Sequence, residues 1–94
     1  MALLSDDEIE QRLAGVQWRR EDDKLVRDVE CTGFEAAIEL VNRVADAAAE
    51  AEHHPDILVH GYKHVRLTLS THSEGGVTEN DFALAQTIDG IEPA

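Results

Sequence analysis

Between residues 34 and 69 the chain changes its apolar period, and that change restricts the fold more than any other feature. Phe34, Ala37, Ile38, Val41, Val44, Ala45 and Ala48 recur at i, i+3, i+4 and i+7, which draws one apolar stripe along a long helix. Glu35, Glu39, Arg43 and Asp46 fall on the solvated side. Further on, Val65, Leu67 and Leu69 alternate with His64, Arg66, Thr68 and Ser70, the period-two mark of a half-buried strand. The break between the two falls at Glu52-His53-His54-Pro55, where the proline disfavours helical geometry at His54. A striped helix beside an alternating strand can bury both apolar faces only by lying on a sheet.

The flanking segments complete the layers. Ser5-Asp6-Asp7-Glu8, Thr32-Gly33-Phe34-Glu35 and Thr78-Glu79-Asn80-Asp81 each put a hydroxyl at a candidate N-cap and a carboxylate three residues later. They predict a first helix over about Asp6–Leu13 that stops at Gly15, the long second helix, and a third over about Glu79–Ile88 ended by Gly90. Phe82, Ala85 and Ile88 face inward on the third. Val16–Arg19 and Lys24–Val29 flank the polar turn "REDD" and read as a hairpin; Ile57–Val59 is a short apolar strand. The expected fold is α+β, a four-stranded antiparallel sheet with three helices on one face, in the order α-β-β-α-β-β-α. Residues 1–94 are expected to form one domain.

Charge then limits partners. The chain carries 20 Asp and Glu against 8 Lys and Arg, a formal charge of −12 at pH 7. A phosphate backbone or an anionic membrane surface would be repelled, so neither nucleic acid nor membrane is an expected partner. Cys31 stands alone, which leaves no disulfide framework and no thiolate metal cluster. No apolar run approaches the roughly 20 residues of a transmembrane helix, and "MALLSDDEIEQRL" lacks the basic region and long apolar run of a signal peptide. The expected setting is the cytoplasm. A core this small, poor in aromatics, favours self-association.

The histidines are the chemically suggestive residues. His53 and His54 fall at the expected C-terminal end of the long helix, where orphan carbonyls attract positive charge, so one reading is helix-end decoration. It suits one histidine better than two neighbours about 100° apart. Metal binding is a second reading, with poor ligand spacing; His60 and His64 flank a turn and can in principle converge on an ion. A third is acid–base catalysis by imidazoles brought together from a helix end and a strand end, His53, His54 and His72. No nucleophile stands beside them, which suits proton transfer on a small neutral substrate, such as an elimination of water.

The stretch "EHHPDILVHGYKHVRLTLSTH" followed by "SEGGVTENDFALA" resembles the pterin-4a-carbinolamine dehydratase family. The likeness rests on the His-His-Pro, Tyr62 after six intervening residues, His72 after nine more and Asp81 after a further eight. Trp18 and "FEAAIELVNRVADAAAEA" match the family's preceding strand and long helix in character. The resemblance implies a hydro-lyase that removes water from 4a-hydroxytetrahydrobiopterin to give the quinonoid dihydropterin in tetrahydrobiopterin recycling, with no cofactor and no metal. It implies His53, His54 and His72 as the functional histidines, His53 and His72 moving protons and His54 holding the pterin. Glu52, Ser70, Thr71 and Ser73 would line the pocket, with Asp81 in support.

Asp81 also reads as the capping-box carboxylate of the third helix, and both roles can hold. The chain departs from the family at Ala49, where many relatives carry a carboxylate that Glu50 and Glu52 could replace, and at Ile57 and Leu58, where an aromatic is common. Trp18 and Phe34 are expected in the core, and His60 and His64 on the surface. The implied assembly is a homodimer or homotetramer. The competing reading is a non-catalytic pterin-binding, dimerisation or assembly partner of the same fold.

Overall fold

The capping signals at Ser5 and Thr78 form as written. The Ser5 hydroxyl accepts from the Glu8 N–H at 3.2 Å, and Glu8 reaches back to the Ser5 N–H at 3.0 Å. Thr78 and Asp81 make the same reciprocal pair at the last helix. In the computed structural model, which describes residues 2–91, the order is α1 (Asp6–Leu13), β1 (Arg19–Glu21), β2 (Lys24–Glu30), α2 (Phe34–Ala51), β3 (Asp56–His60), β4 (His64–Leu69), a 3₁₀ turn (His72–Glu74) and α3 (Glu79–Asp89). Residues 1 and 92–94 of the expected domain lie outside the described residues. The expected α+β architecture is the one observed: three helices and one antiparallel sheet, with strands in the order β1-β2-β4-β3.

Register gives the sheet two unlike faces. Leu25 pairs with Leu69, Arg27 with Leu67, and Val29 with Val65 across β2 and β4. Ile57 and Val59 continue these rows on β3, opposite Leu67 and Val65. This face meets Ile9 of α1, Ala37, Leu40, Val44 and Ala48 of α2, and Phe82, Leu84, Ala85 and Ile88 of α3 in one core. The opposite face is charged: Arg19 bridges Glu21 and Asp28 at 2.6 and 2.9 Å, and Arg66 holds Asp28 at 2.8 Å.

Three expectations are corrected. The first strand begins at Arg19 rather than Val16, and its turn tightens from "REDD" to Asp22-Asp23, with Asp22 left-handed at φ 55°. The cause is Asp89, which accepts the Gln17 N–H at 2.8 Å and the Trp18 indole N–H at 2.9 Å, so the chain reaches the sheet only afterwards. Asp89 also holds Arg27 at 2.8 Å; their side chains are only 13% and 12% exposed. This lock joins the end of α3 to β2.

The second correction is at the start of α2, where Gly33, not Thr32, is the N-cap and no side chain caps it. The third concerns its face. Buried Ala37, Leu40, Val44 and Ala48 form the packed lane, while Phe34 is 55% exposed and Ile38 36%. At about 100° per residue the packed lane is centred about 90° around the helix from Phe34, Ile38 and Ala45. The apolar arc is wider than one contact face. Periodicity showed its existence and not which half meets the sheet. Trp18 is buried as expected, and Phe34 is not.

Candidate active site

The His-His-Pro segment is not the last turn of α2, as the sequence suggested, but the bend that follows it. Glu52 adopts the left-handed conformation at φ 53°, its N–H donating to the Ala49 carbonyl at 3.2 Å and the His53 N–H to the Ala48 carbonyl at 3.1 Å. These paired bonds make a Schellman motif, the usual place for glycine. A glutamate there carries the steric cost of left-handed backbone, on the order of 1 kcal/mol. The motif occupies helix-end carbonyls with backbone donors, so His53 and His54 are not needed as decoration. Pro55 then sends the chain into β3.

The other wall comes from the end of β4. After Leu69, Thr71 bridges Gly76, its N–H donating to the Gly76 carbonyl at 2.8 Å. Its own carbonyl accepts the Glu74 and Gly75 N–H groups, both at 3.0 Å. This closes the tight turn that carries His72, and Gly75 supplies its left-handed exit at φ 74°.

Between the walls lies a cavity of about 320 Å³. Glu52, His53, His54, Pro55 and Asp56 line it from the α2 side, and Ser70, Thr71, His72 and Ser73 from the β4 side. All three expected histidines and all four expected flanking residues therefore border one space. Pro55 and Asp56 were not anticipated; a carboxylate one residue beyond the proline was the available signal. Glu50, considered as a substitute charge for the one absent at Ala49, borders a different cleft with Ala47 and Thr87. Among the described residues, none that line the histidine cavity is Lys or Arg. Its volume lies at the small end of ligand pockets.

Behind the cavity stands Asp81, fully buried. Its Oδ1 lies 2.5 Å from His53 Nε2. Its Oδ2 accepts the Thr71 hydroxyl at 2.9 Å and the Thr78 N–H at 2.9 Å. The carboxylate expected in support of the histidines is thus bonded to His53. It remains the capping-box residue of α3 as well. His60 and His64 stack at 5.4 Å on the charged face of the β3–β4 hairpin and do not border the cavity. Among the described residues no three His, Cys, Asp or Glu side chains are grouped to hold a metal ion.

Comparison with known proteins agrees with the resemblance read from the histidine pattern. Residues 2–91 match the family model described as Pterin 4 alpha carbinolamine dehydratase. A protein of Mycobacteroides abscessus named "Putative pterin-4-alpha-carbinolamine dehydratase" is 50% identical over 90 residues, covering 95% of each chain. One of the same name from Sulfolobus acidocaldarius is 43% identical over 95% of this chain and 98% of its own. The crystal structure of a transcriptional coactivator/pterin dehydratase from Brucella melitensis superposes with a TM-score of 0.85 at 30% identity, covering 92% of this chain and 94% of that one. A pterin dehydratase-like protein described as a RuBisCO assembly factor in the α-carboxysome shares the fold at a TM-score of 0.63 and 19% identity, over 79% of this chain and 84% of its own. The half-buried imidazole backed by a buried carboxylate, in a bend that follows a helix and faces a strand end, therefore lies within a chain that belongs to the pterin-4a-carbinolamine dehydratase family.

Proposed function

We propose that this protein is a 4a-hydroxytetrahydrobiopterin dehydratase that works by histidine acid–base catalysis without a cofactor. The carrying observation is that His53, His54 and His72 border one cavity of about 320 Å³, with His53 Nε2 tied to the buried Asp81. Departure of the 4a hydroxyl as water needs a proton donor on one side of the ring. The N5–H must give up its proton as the new double bond forms, which needs an acceptor. Two imidazoles on opposite walls can divide these tasks, each contributing roughly 10²–10⁴-fold.

His53 and His72 carry the proton transfers in this reading, and His54 holds the ring. Glu52, Ser70 and Ser73 offer polar groups to the donor- and acceptor-rich pterin edge. The absence of Lys and Arg from the lining suits a neutral guest rather than a phosphate-bearing one. The formal charge of −12 opposes nucleic acid as a partner, and the buried free Cys31 fits a cytoplasmic setting.

Self-association accompanies the activity. Phe34 and Ile38 form an exposed apolar arc on α2, a surface suited to a second copy in a homodimer or homotetramer. The same arc favours a second reading, in which the chain acts as an assembly partner without turning over pterin. Carbinolamine dehydration followed by absorbance separates the two. Acceleration that disappears in His53→Ala and His72→Ala, with folding intact, is expected; full acceleration in both variants would overturn the catalytic reading.

A further inference from the structure

The hydroxyls of Thr71, on the cavity wall, and of Thr78, behind it, are bonded within the protein, and both connect to the histidine site. Thr71 is 8% exposed and Thr78 is fully buried. Thr71 Oγ1 donates to Asp81 Oδ2 at 2.9 Å and contacts Thr78 Oγ1 at 2.8 Å. A hydroxyl has one proton, so the contact between the two threonines must be donated by Thr78. Thr78 Oγ1 in turn accepts the Asn80 N–H at 3.3 Å from the first turn of α3. The donors therefore run in one direction, from Asn80 N–H to Thr78, to Thr71, to Asp81. Thr78 N–H adds a second donor to the same Oδ2 at 2.9 Å.

With two donors aimed at Oδ2 and the N-terminus of α3 beside it, Asp81 is held as an acceptor. Oδ1 then calls for a donor, and at 2.5 Å its partner is His53 Nε2. We propose that Thr71 and Thr78 form an ordered hydroxyl relay that fixes His53 as the Nε2–H tautomer, leaving Nδ1 as the nitrogen offered to the cavity. Thr71 is accordingly a positioning residue rather than a substrate ligand. Its N–H, carbonyl and hydroxyl all have partners within the protein. No unpartnered side-chain nitrogen or oxygen is buried among the described residues, which matches a network closed on itself.

The catalytic consequence rests on the proposed dehydratase reading, whereas the tautomer does not, so two readouts keep them separate. Long-range proton–nitrogen NMR on the full chain labelled with ¹⁵N-histidine reports the tautomer without any substitution. His53 is expected to show the proton on Nε2, and a proton on Nδ1 alone would overturn the relay. Thr71→Val removes the donor to Asp81 while keeping shape, and Thr71→Ser restores it. The valine variant is expected to show mixed His53 tautomers and a kcat lower by about 10–100-fold, the range seen when outer partners of metal-bound imidazoles are removed. Its KM should stay within about twofold, because the hydroxyl is engaged by Thr78 and Asp81, and the serine variant should recover both signals. A valine variant that raises KM at unchanged kcat would make Thr71 a substrate contact and refute the relay. Should the parent protein not dehydrate the carbinolamine, the dehydratase reading fails while the NMR result still decides the tautomer.

Discussion

Replacing Asp81 by asparagine changes one oxygen to an amide nitrogen at a fully buried site. The asparagine carbonyl can still accept from Thr71 and Thr78, but its NH₂ must then face His53 Nε2. That nitrogen has to become an acceptor, and the ring proton moves to Nδ1, the side that meets the cavity. Three charge-assisted bonds, each worth about 1.5–3 kcal/mol, become neutral ones of about 0.5–1.5. Part of that loss is offset because a charge no longer needs burying. The expected net cost is about 1–2 kcal/mol. Asp81→Ala, by contrast, strands buried donors and removes the capping-box carboxylate, for about 3–5 kcal/mol. Against a stability of roughly 5–14 kcal/mol for a chain of this length, the asparagine variant should remain folded. Its kcat should nevertheless fall by about 10²–10⁴, as expected for an acid–base histidine held in the wrong tautomer. Urea unfolding followed by circular dichroism, with carbinolamine dehydration on the same samples, measures both. A folded Asp81→Asn protein with kcat within about threefold of the parent would refute the reasoning.

Other sites give independent tests. Asp89→Ala strands Arg27, the Trp18 indole N–H and the Gln17 N–H together and should cost about 2–4 kcal/mol in urea unfolding; a loss under 0.5 kcal/mol would show that the lock is idle. Phe34→Asp with Ile38→Asp should convert the proposed oligomer to a folded monomer in sedimentation, with a lower melting temperature once the partner is lost, and a parent already monomeric at micromolar concentration would remove the α2 arc as an interface. The Asp28 carboxyl is held below its usual value of 3.8 by the hydrogen bond from Arg66 and then that from Arg19. Its contribution is present above that value and lost as pH falls through the lower folded one. Because Asp28 is 42% exposed, the effect is only a few tenths of a kcal/mol. Asp28→Asn should therefore slightly flatten the loss of stability below about pH 4, and an acid unfolding curve identical to the parent's would count against it.

Local signals were legible in the chain where the physics is local. The boxes at Ser5 and Thr78, the alternation from Val65 to Leu69 and the stop at Gly90 involve residues within a few positions of one another, and the structure follows them. The bend at Glu52 was less legible, because Pro55 marks where a helix cannot continue, not where it ends. Contacts between distant residues left no local trace. His53 and Asp81 are separated by 28 positions, and Arg27 and Asp89 by 62; neither spacing carries a period. The grouping of three histidines follows from an order of residues that resembles a known family, not from propensity. That order gave no hint that the downstream acid would bond to the first histidine.

Helix α3 has an aspartate anchored at each end. Asp81, in its first turn, is tied to His53 and the threonines, and Asp89, its last residue, to Arg27, Trp18 and Gln17. Its 11 residues span about 16 Å, so the rod can neither slide along its axis nor roll without breaking bonds at one tip or the other. A substitution at the far tip, which no guest approaches, should thus register as a blurred His53 signal before it registers as unfolding.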